Sequence, residues 1–212
     1  MDTLQALSLA MGTAWTSGIN LYATVAALGI AGRAEMIQLP PDLQVLTHPA
    51  VIAVACVMYL IEFFADKVPY VDNGWDVLHT FIRVPAGAIL AARTLGDVNP
   101  ALELAAVLAG GTIAFAAHGT KMATRLALNV SPEPFSNWFA SIGEDLAVFG
   151  SIWLIFHHPI LMLILIVCFL ALVVWLIPKL FRLARRGFQA LRDRLRGVKP
   201  DQPAPTGSPQ LG

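Results

Sequence analysis

The chain has 212 residues, of which 57% are hydrophobic and only 13% are charged. Because a soluble domain usually carries about 25% charged residues, this composition excludes an ordinary soluble protein and predicts an all-α, polytopic bundle of transmembrane helices. The formal net charge is zero, but eight of the 14 Lys and Arg residues follow Trp175, so the positive-inside rule places the C-terminus in the cytoplasm.

About six membrane segments are predicted, taken here in chain order. The first, 4–32, is interpreted as a retained helix rather than a signal peptide, because Asp2 stands where a basic residue is expected. The second begins at Pro49, a favourable first-turn residue, and runs to about Ala65. The third, 79–96, holds Arg83, Pro85 and Arg93 and is left open between a tilted span and a re-entrant hairpin. The others are 101–129, 139–156 and 160–178, with a turn at 131–138.

The sixth segment gives the clearest membrane signal. Ile160–Ile177 is a run of 18 consecutive apolar residues, which at about 1.5 Å per residue nearly spans a hydrocarbon core of roughly 30 Å. Residues 1–178 are therefore predicted to form the transmembrane domain. Residues 179–197 alternate apolar and Arg positions at helical spacing, which predicts a basic amphipathic helix on an anionic membrane surface. A solvated continuation of the sixth helix, without a role in lipid binding, is the alternative. The proline-rich segment 198–212 is predicted to be disordered.

One stretch, 62–83, carries seven ionisable side chains in 22 positions, whereas 43–61 carries no Asp, Glu, Lys or Arg. Within it, Asp72, Asp76, His79 and Arg83 are spaced four, three and four residues apart, which places them on one helical face. A solvated loop is the alternative interpretation, but it explains poorly why Arg83 lies among strongly apolar neighbours.

Further polar side chains recur at helical spacing in the first, fourth and fifth segments. A charge at the centre of a membrane helix costs about 2.5–3.5 kcal/mol, so these faces are expected to turn inward and to meet in one polar cluster. A helix end that emerges into the cytoplasm is the alternative for the fourth segment. The candidate residues for solute or ion binding are Ser17, Asn20, Glu62, Asp66, Asp76, His79, Arg83, His118, Lys121, Arg125, Glu144 and Asp145. No catalytic residue, metal site or cofactor is predicted.

A faint internal repeat is also visible. The stretch 12–24 is similar to 111–124, and the alignment pairs Ser17 with His118 and Asn20 with Lys121. A duplication of three helices each would have to be inverted in the membrane, an arrangement common among transporters.

Four motifs together resemble a known family. The stretches "SGINLYAT", "EFFADKVPYVDNGWDVLHTFIR", "HGTKMATR" and "NVSPEPFSNW", the last followed by "ED", resemble the bacterial membrane proteins catalogued as domain of unknown function 4126. The resemblance covers about residues 1–180 and leaves out the basic tail. It implies a multi-pass protein of the bacterial inner membrane and implies no activity.

Three functions fit these observations. Polar faces that converge among apolar helices indicate a transporter or channel for an ion or small polar solute, and the excess of acids favours a cation or a proton-coupled solute. The alternatives are a membrane scaffold, in which all buried charges pair, and an enzyme that holds lipid-linked phosphate on its basic side chains. The expected partners are the lipid bilayer, with anionic headgroups at the basic helix, and a small solute or ion. A homo-oligomer is left open, and no nucleic-acid partner is expected.

Overall fold

The computed structural model describes residues 2–68, 71–96, 98–129 and 134–195. Every regular element in these ranges is helical, which confirms the predicted all-α class. The order is α1 (Thr3–Arg33), a short 3₁₀ helix (Pro41–Thr47), α2 (Pro49–Ala65), α3 (Val71–Leu95), α4 (Pro100–Leu128), α5 (Pro134–His157) and α6 (Pro159–Leu195).

The chain divides into two compact units, Met1–Ala171 and Leu172–Gly212. Helix α6 begins in the first unit and extends into the second without a break at Pro178. One helix therefore crosses residue 178, since a membrane helix can tolerate the hydrogen bond that a proline removes. That residues 179–197 lie on a membrane surface stays a prediction. The segment 198–212, where disorder is predicted, lies outside the described residues.

Prolines mark the start of four of the α-helices, α2, α4, α5 and α6, and of the 3₁₀ helix. Proline suits the first helical position, since its fixed φ fits the helix and its missing N–H would have no intrahelical acceptor there. Asn99 caps α4, because its side chain accepts a hydrogen bond from the Leu102 N–H at 3.0 Å. The predicted turn at 131–138 is wrong from Pro134 onwards, because α5 begins at this residue and proline is favoured at a first helical position. Residues 131–133 lie outside the described part.

Helix α1 is not the single span predicted over 4–32. A straight helix of 31 residues would hold its ends about 46 Å apart, yet Gln5 and the segment 36–41 line one cleft of about 590 Å³. The backbone leaves helical geometry at Asn20, with φ −148° and ψ 99°. We conclude that α1 reverses there and forms a helical hairpin with Asn20 at its tip.

Three helical stretches in the described residues are long and apolar enough to cross a membrane, namely Pro100–Leu128, Phe135–His157 and Pro159–Lys179. A fourth is added if the 3₁₀ helix and α2, which meet at a bend of 65°, count as one span. These helices are compatible with a membrane protein, but the predicted number of six segments is not confirmed. The third segment is one helix that begins at Val71 rather than at 79, and it contains Pro85 without a re-entrant break.

Small residues allow α1, α3 and α4 to pack closely. A Cβ on Gly18 of α1 would lie 2.4 Å from the Ala114 carbonyl oxygen of α4, and one on Gly110 of α4 would lie 2.4 Å from Ala91 Cβ of α3. Close contact through glycine and alanine is the usual way in which helices pack in a bilayer. The inverted repeat is not confirmed: its first copy contains the reversal at Asn20, whereas its second lies in the continuous helix α4.

Candidate functional site

Four helices bring seven charged side chains together inside the first unit. Helices α2 and α4 end, and α3 and α5 begin, at one end of the bundle, so the charged parts of all four meet there. We call this set the charge network, and it consists of Glu62, Asp66, Asp76, Arg83, Lys121, Arg125 and Glu144. Six of the seven residues are buried, and Glu144 is half-buried.

Lys121 lies at the centre of the charge network. Its Nζ is 2.8 Å from Asp66 Oδ2 and 3.3 Å from Glu62 Oε1. It is also 3.3 Å from Glu144 Oε2 and 3.8 Å from Asp76 Oδ1. Because the Lys121 side chain is only 1% exposed, these four carboxylates provide the electrostatic environment that water would otherwise supply.

Arg83 joins α3 to α2. Its Nη2 donates to Glu62 Oε1 at 2.6 Å, and its Nη1 donates to Asp76 Oδ1 at 3.0 Å. The same Nη1 lies 3.1 Å from His118 Nδ1. Since a guanidinium can only donate, His118 Nδ1 must accept, and the imidazole proton is assigned to Nε2, which donates to the Asp76 carbonyl at 3.0 Å. The hydrogen bonds therefore fix His118 as neutral.

Arg125 fastens α4 to α5 and to the end of α2. It pairs bidentately with Glu144, with Nη2 to Oε2 at 2.6 Å and Nε to Oε1 at 3.2 Å. Its Nη1 donates to the carbonyl oxygens of Asp66 at 2.7 Å and Asn137 at 3.2 Å. This planar fork suits a guanidinium, so lysine would not replace Arg125 conservatively.

Charge does not balance within the network. Four carboxylates face three cations, which leaves one negative charge in excess when all seven groups are ionised. Three buried carboxylate oxygens have no hydrogen-bond partner among the described residues: Glu62 Oε2, Asp66 Oδ1 and Asp76 Oδ2. A buried acceptor without a partner costs about 1–3 kcal/mol, so these atoms are suited to accept a hydrogen bond or to bind a small cation.

The pKa values of two groups just beyond α2 are shifted. Burial alone would raise the pKa of Asp66, but the positive charges of Lys121 and Arg125 outweigh it and hold the pKa below the usual aspartate value. Burial lowers the pKa of Lys67, whose Nζ donates to the Phe63 carbonyl and to Ser141 Oγ at 3.0 and 3.2 Å. Asp66 therefore stays ionised at neutral pH and holds two cations in place.

Four predicted residues are not bonded to the charge network. Ser17 Oγ donates to the Ala14 carbonyl, and Asn20 Oδ1 accepts from the Ala23 N–H, which caps the second half of α1. His79 Nε2 lies 3.1 Å from Tyr22 Oη and fixes the tip of α1 against α3. Asp145 is half-buried and forms no ion pair with any of the described residues.

A second polar group lies beside the network and was missed in part. Asp72 is fully buried, and both of its carboxylate oxygens are 3.1 Å from Asn129 Nδ2. Asn129 Oδ1 in turn accepts from Asn137 Nδ2 at 2.9 Å. The spacing pointed to Asp72, but Asn137 was assigned to a turn. Asn137 stands seven residues before Glu144, so helical spacing was the signal that could have found it.

No metal-binding arrangement of three or more His, Cys, Asp or Glu side chains occurs in the described ranges.

No curated protein and no solved structure matches the chain. Residues 7–179, a range that holds the whole charge network, match the model of the family described as "Domain of unknown function (DUF4126)". The chain thus belongs to the DUF4126 family, as its four motifs predicted.

Proposed function

We propose that the protein moves protons or another small cation across a membrane through the charge network. The main support for this proposal is the excess of one carboxylate in the network, together with three buried carboxylate oxygens that lack a hydrogen-bond partner among the described residues. A group that is short of one positive charge can take up a cation and release it again, whereas a fully neutralised group has little affinity for one.

The arrangement of the cations supports exchange rather than permanent binding. Lys121 lies within 4 Å of all four acids, at 2.8 to 3.8 Å, so it can shift its hydrogen bonds among them when one becomes protonated. Intramembrane carboxylates that pair with cations are typical of proton and ion pathways. The tip of the α1 hairpin, which meets α3 at His79, resembles the broken helices that line transporter sites.

Two alternatives are less well supported. An enzyme that holds lipid-linked phosphate needs a free cation, but Arg83, Lys121 and Arg125 each already lie within 4 Å of two or more carboxylates. A scaffold needs only that the charges pair. It gives no reason for a surplus acid or for three unpartnered oxygens, each of which costs free energy.

The cellular setting belongs to the same proposal. We infer a multi-pass protein of the bacterial inner membrane whose C-terminus faces the cytoplasm, because eight cations follow Trp175. The basic segment of α6 would then contact anionic headgroups.

A flux measurement tests the proposal. Purified protein is reconstituted into liposomes that contain a pH-sensitive dye, and a potassium gradient with valinomycin sets the membrane potential. We expect the wild type to acidify the lumen. Asp76→Asn should abolish this flux, because the isosteric amide removes the negative charge of a carboxylate whose Oδ2 lacks a partner among the described residues, while leaving the shape unchanged.

Glu103→Gln is the matched control, since Glu103 is an exposed acid in the first turn of α4. It should conduct as the wild type does. Gel filtration shows whether each variant is folded. Proton flux that is equal in Asp76→Asn and in the wild type, or a wild type that passes neither protons nor Na⁺ and K⁺, would overturn the proposed function.

A further inference from the structure

The charge network has an opening on the side of the bundle. A groove of about 280 Å³ lies between α4 and α5 and is also lined by Trp15 of α1 and Phe169 of α6. It exists because the facing side chains are small, namely Ala117 on α4 and Ala140, Gly143 and Ala147 on α5. A Cβ placed on Gly143 would meet no atom within 4 Å, which shows that the space beside this residue is open.

Lys121 and Glu144 both line this groove. The Glu144 side chain is 16% exposed, whereas the side chains of Glu62, Asp66 and Asp76 are between 0% and 4% exposed. Lys121 is only 1% exposed and is surrounded by carboxylates. Glu144 is therefore the most exposed acid of the network, and it reaches the groove while paired with Arg125 and Lys121.

We propose that this groove binds a small organic cation that has an apolar body, with its ammonium group at Glu144. The proposal rests on the proposed function and names the class of solute that the site would take. Glu144 Oε1 accepts one hydrogen bond, from Arg125 Nε at 3.2 Å, so it can accept another from the ammonium group, and the excess of one carboxylate in the network keeps the surroundings negative. An anion would meet the same carboxylates and be repelled.

The aromatic side chains that line the groove suit the apolar body of such a solute. Trp15 and Phe169 lie edge to face with their ring centroids 5.8 Å apart, and aromatic faces attract both apolar rings and cations. The volume is slightly below the roughly 300–1,000 Å³ of sites for drug-sized ligands. An arylalkylammonium ion of one ring and a short chain is therefore the occupant that the groove favours over a larger molecule.

The test uses phenethylammonium as the probe. Its isosteric neutral and anionic counterparts, phenethyl alcohol and 3-phenylpropionate, are measured beside it in the same detergent. A ligand that binds only the folded protein raises the thermal unfolding midpoint with concentration. We expect phenethylammonium to raise the midpoint of the wild type, and the alcohol and the carboxylate to leave it unchanged.

Two matched variants locate the site. Gly143→Leu should fill the groove and abolish the midpoint shift, whereas Gly150→Leu, on the same helix and also in open space but outside the groove lining, should keep it. Glu144→Gln should also lose the shift. An equal shift with the alcohol would mean that the groove holds any apolar chain, such as lipid. A wild-type response that persists in Gly143→Leu would place binding elsewhere; either result overturns the proposal.

The flux assay keeps the two proposals apart. Binding of phenethylammonium at the groove without proton or alkali-cation flux would leave the site standing and refute the proposed transport. If proton flux stops in Asp76→Asn but phenethylammonium never raises the unfolding midpoint of the wild type, the proposed transport would stand and the groove proposal would be refuted.

Discussion

Glu62 connects two cations on different helices. Its Oε1 accepts from Arg83 Nη2 at 2.6 Å and from Lys121 Nζ at 3.3 Å. Burying such charges costs desolvation energy, and the pairing roughly offsets that cost rather than exceeding it. The network is therefore poorly explained as a device for stability, although removing one member leaves its partners unpaired.

Glu62→Gln should lower the free energy of unfolding by up to roughly 3–5 kcal/mol, the cost of breaking a buried pair from one side. Glu35→Gln is the control, because Glu35 is exposed in the connection after α1 and should change stability little. Thermal unfolding of both variants in one detergent measures the difference. If Glu62→Gln unfolds at the same temperature as Glu35→Gln, then Glu62 is not held in the buried pairs described here.

At the scale of the helices, the sequence predicted the charged faces better than the path of α1. Spacings of three and four residues placed Asp76 with Arg83, and Lys121 with Arg125, on common faces, and these pairs do lie together in the charge network. The reversal of α1 was missed because its two halves read as one continuous apolar run. Its local signal is Asn20, whose side chain caps the second half, but a single Asn inside an apolar stretch is equally compatible with a straight helix.

The packing of the α1 tip gives a prediction at this scale. Gly18→Ala should destabilise the protein by about 1–3 kcal/mol, because its Cβ would press against the Ala114 carbonyl and Ala117 Cβ of α4, at 2.4 and 2.7 Å. Gly119→Ala, in α4 and with no atom within 4 Å of the new Cβ, should instead be neutral or stabilise by up to about 1 kcal/mol. Unfolding midpoints of the two variants check the difference, and equal midpoints would show that the tip does not pack against α4.

At the scale of the whole molecule, composition was sufficient to predict the all-α class, and the charged stretch 62–83 was sufficient to locate the polar interior. The number of membrane segments could not be read in the same way. Helix α3 has the length of a span, but its buried face carries Asp72, Asp76, His79 and Arg83, so it depends on its neighbours rather than on its own hydropathy. Which acid pairs with which cation could not be predicted either, because the sequence offers several acids for each cation and only the three-dimensional arrangement selects among them.

The central claim is that the charge network serves transport rather than folding alone, and a paired substitution tests it most directly. Lys121→Met with Asp66→Leu removes Lys121 together with its nearest carboxylate partner, at 2.8 Å, and keeps the network's excess of one carboxylate. Exchanging a buried ion pair for apolar residues is often neutral or stabilising, so the double variant should unfold near the wild-type temperature while Lys121→Met alone unfolds earlier. In the liposome assay we expect the folded double variant to pass no protons or alkali cations, because it lacks Lys121, the group that shifts its hydrogen bonds among the four acids. Flux at the wild-type level in that variant would contradict the account, because the network would then be a structural feature and the pathway would lie elsewhere.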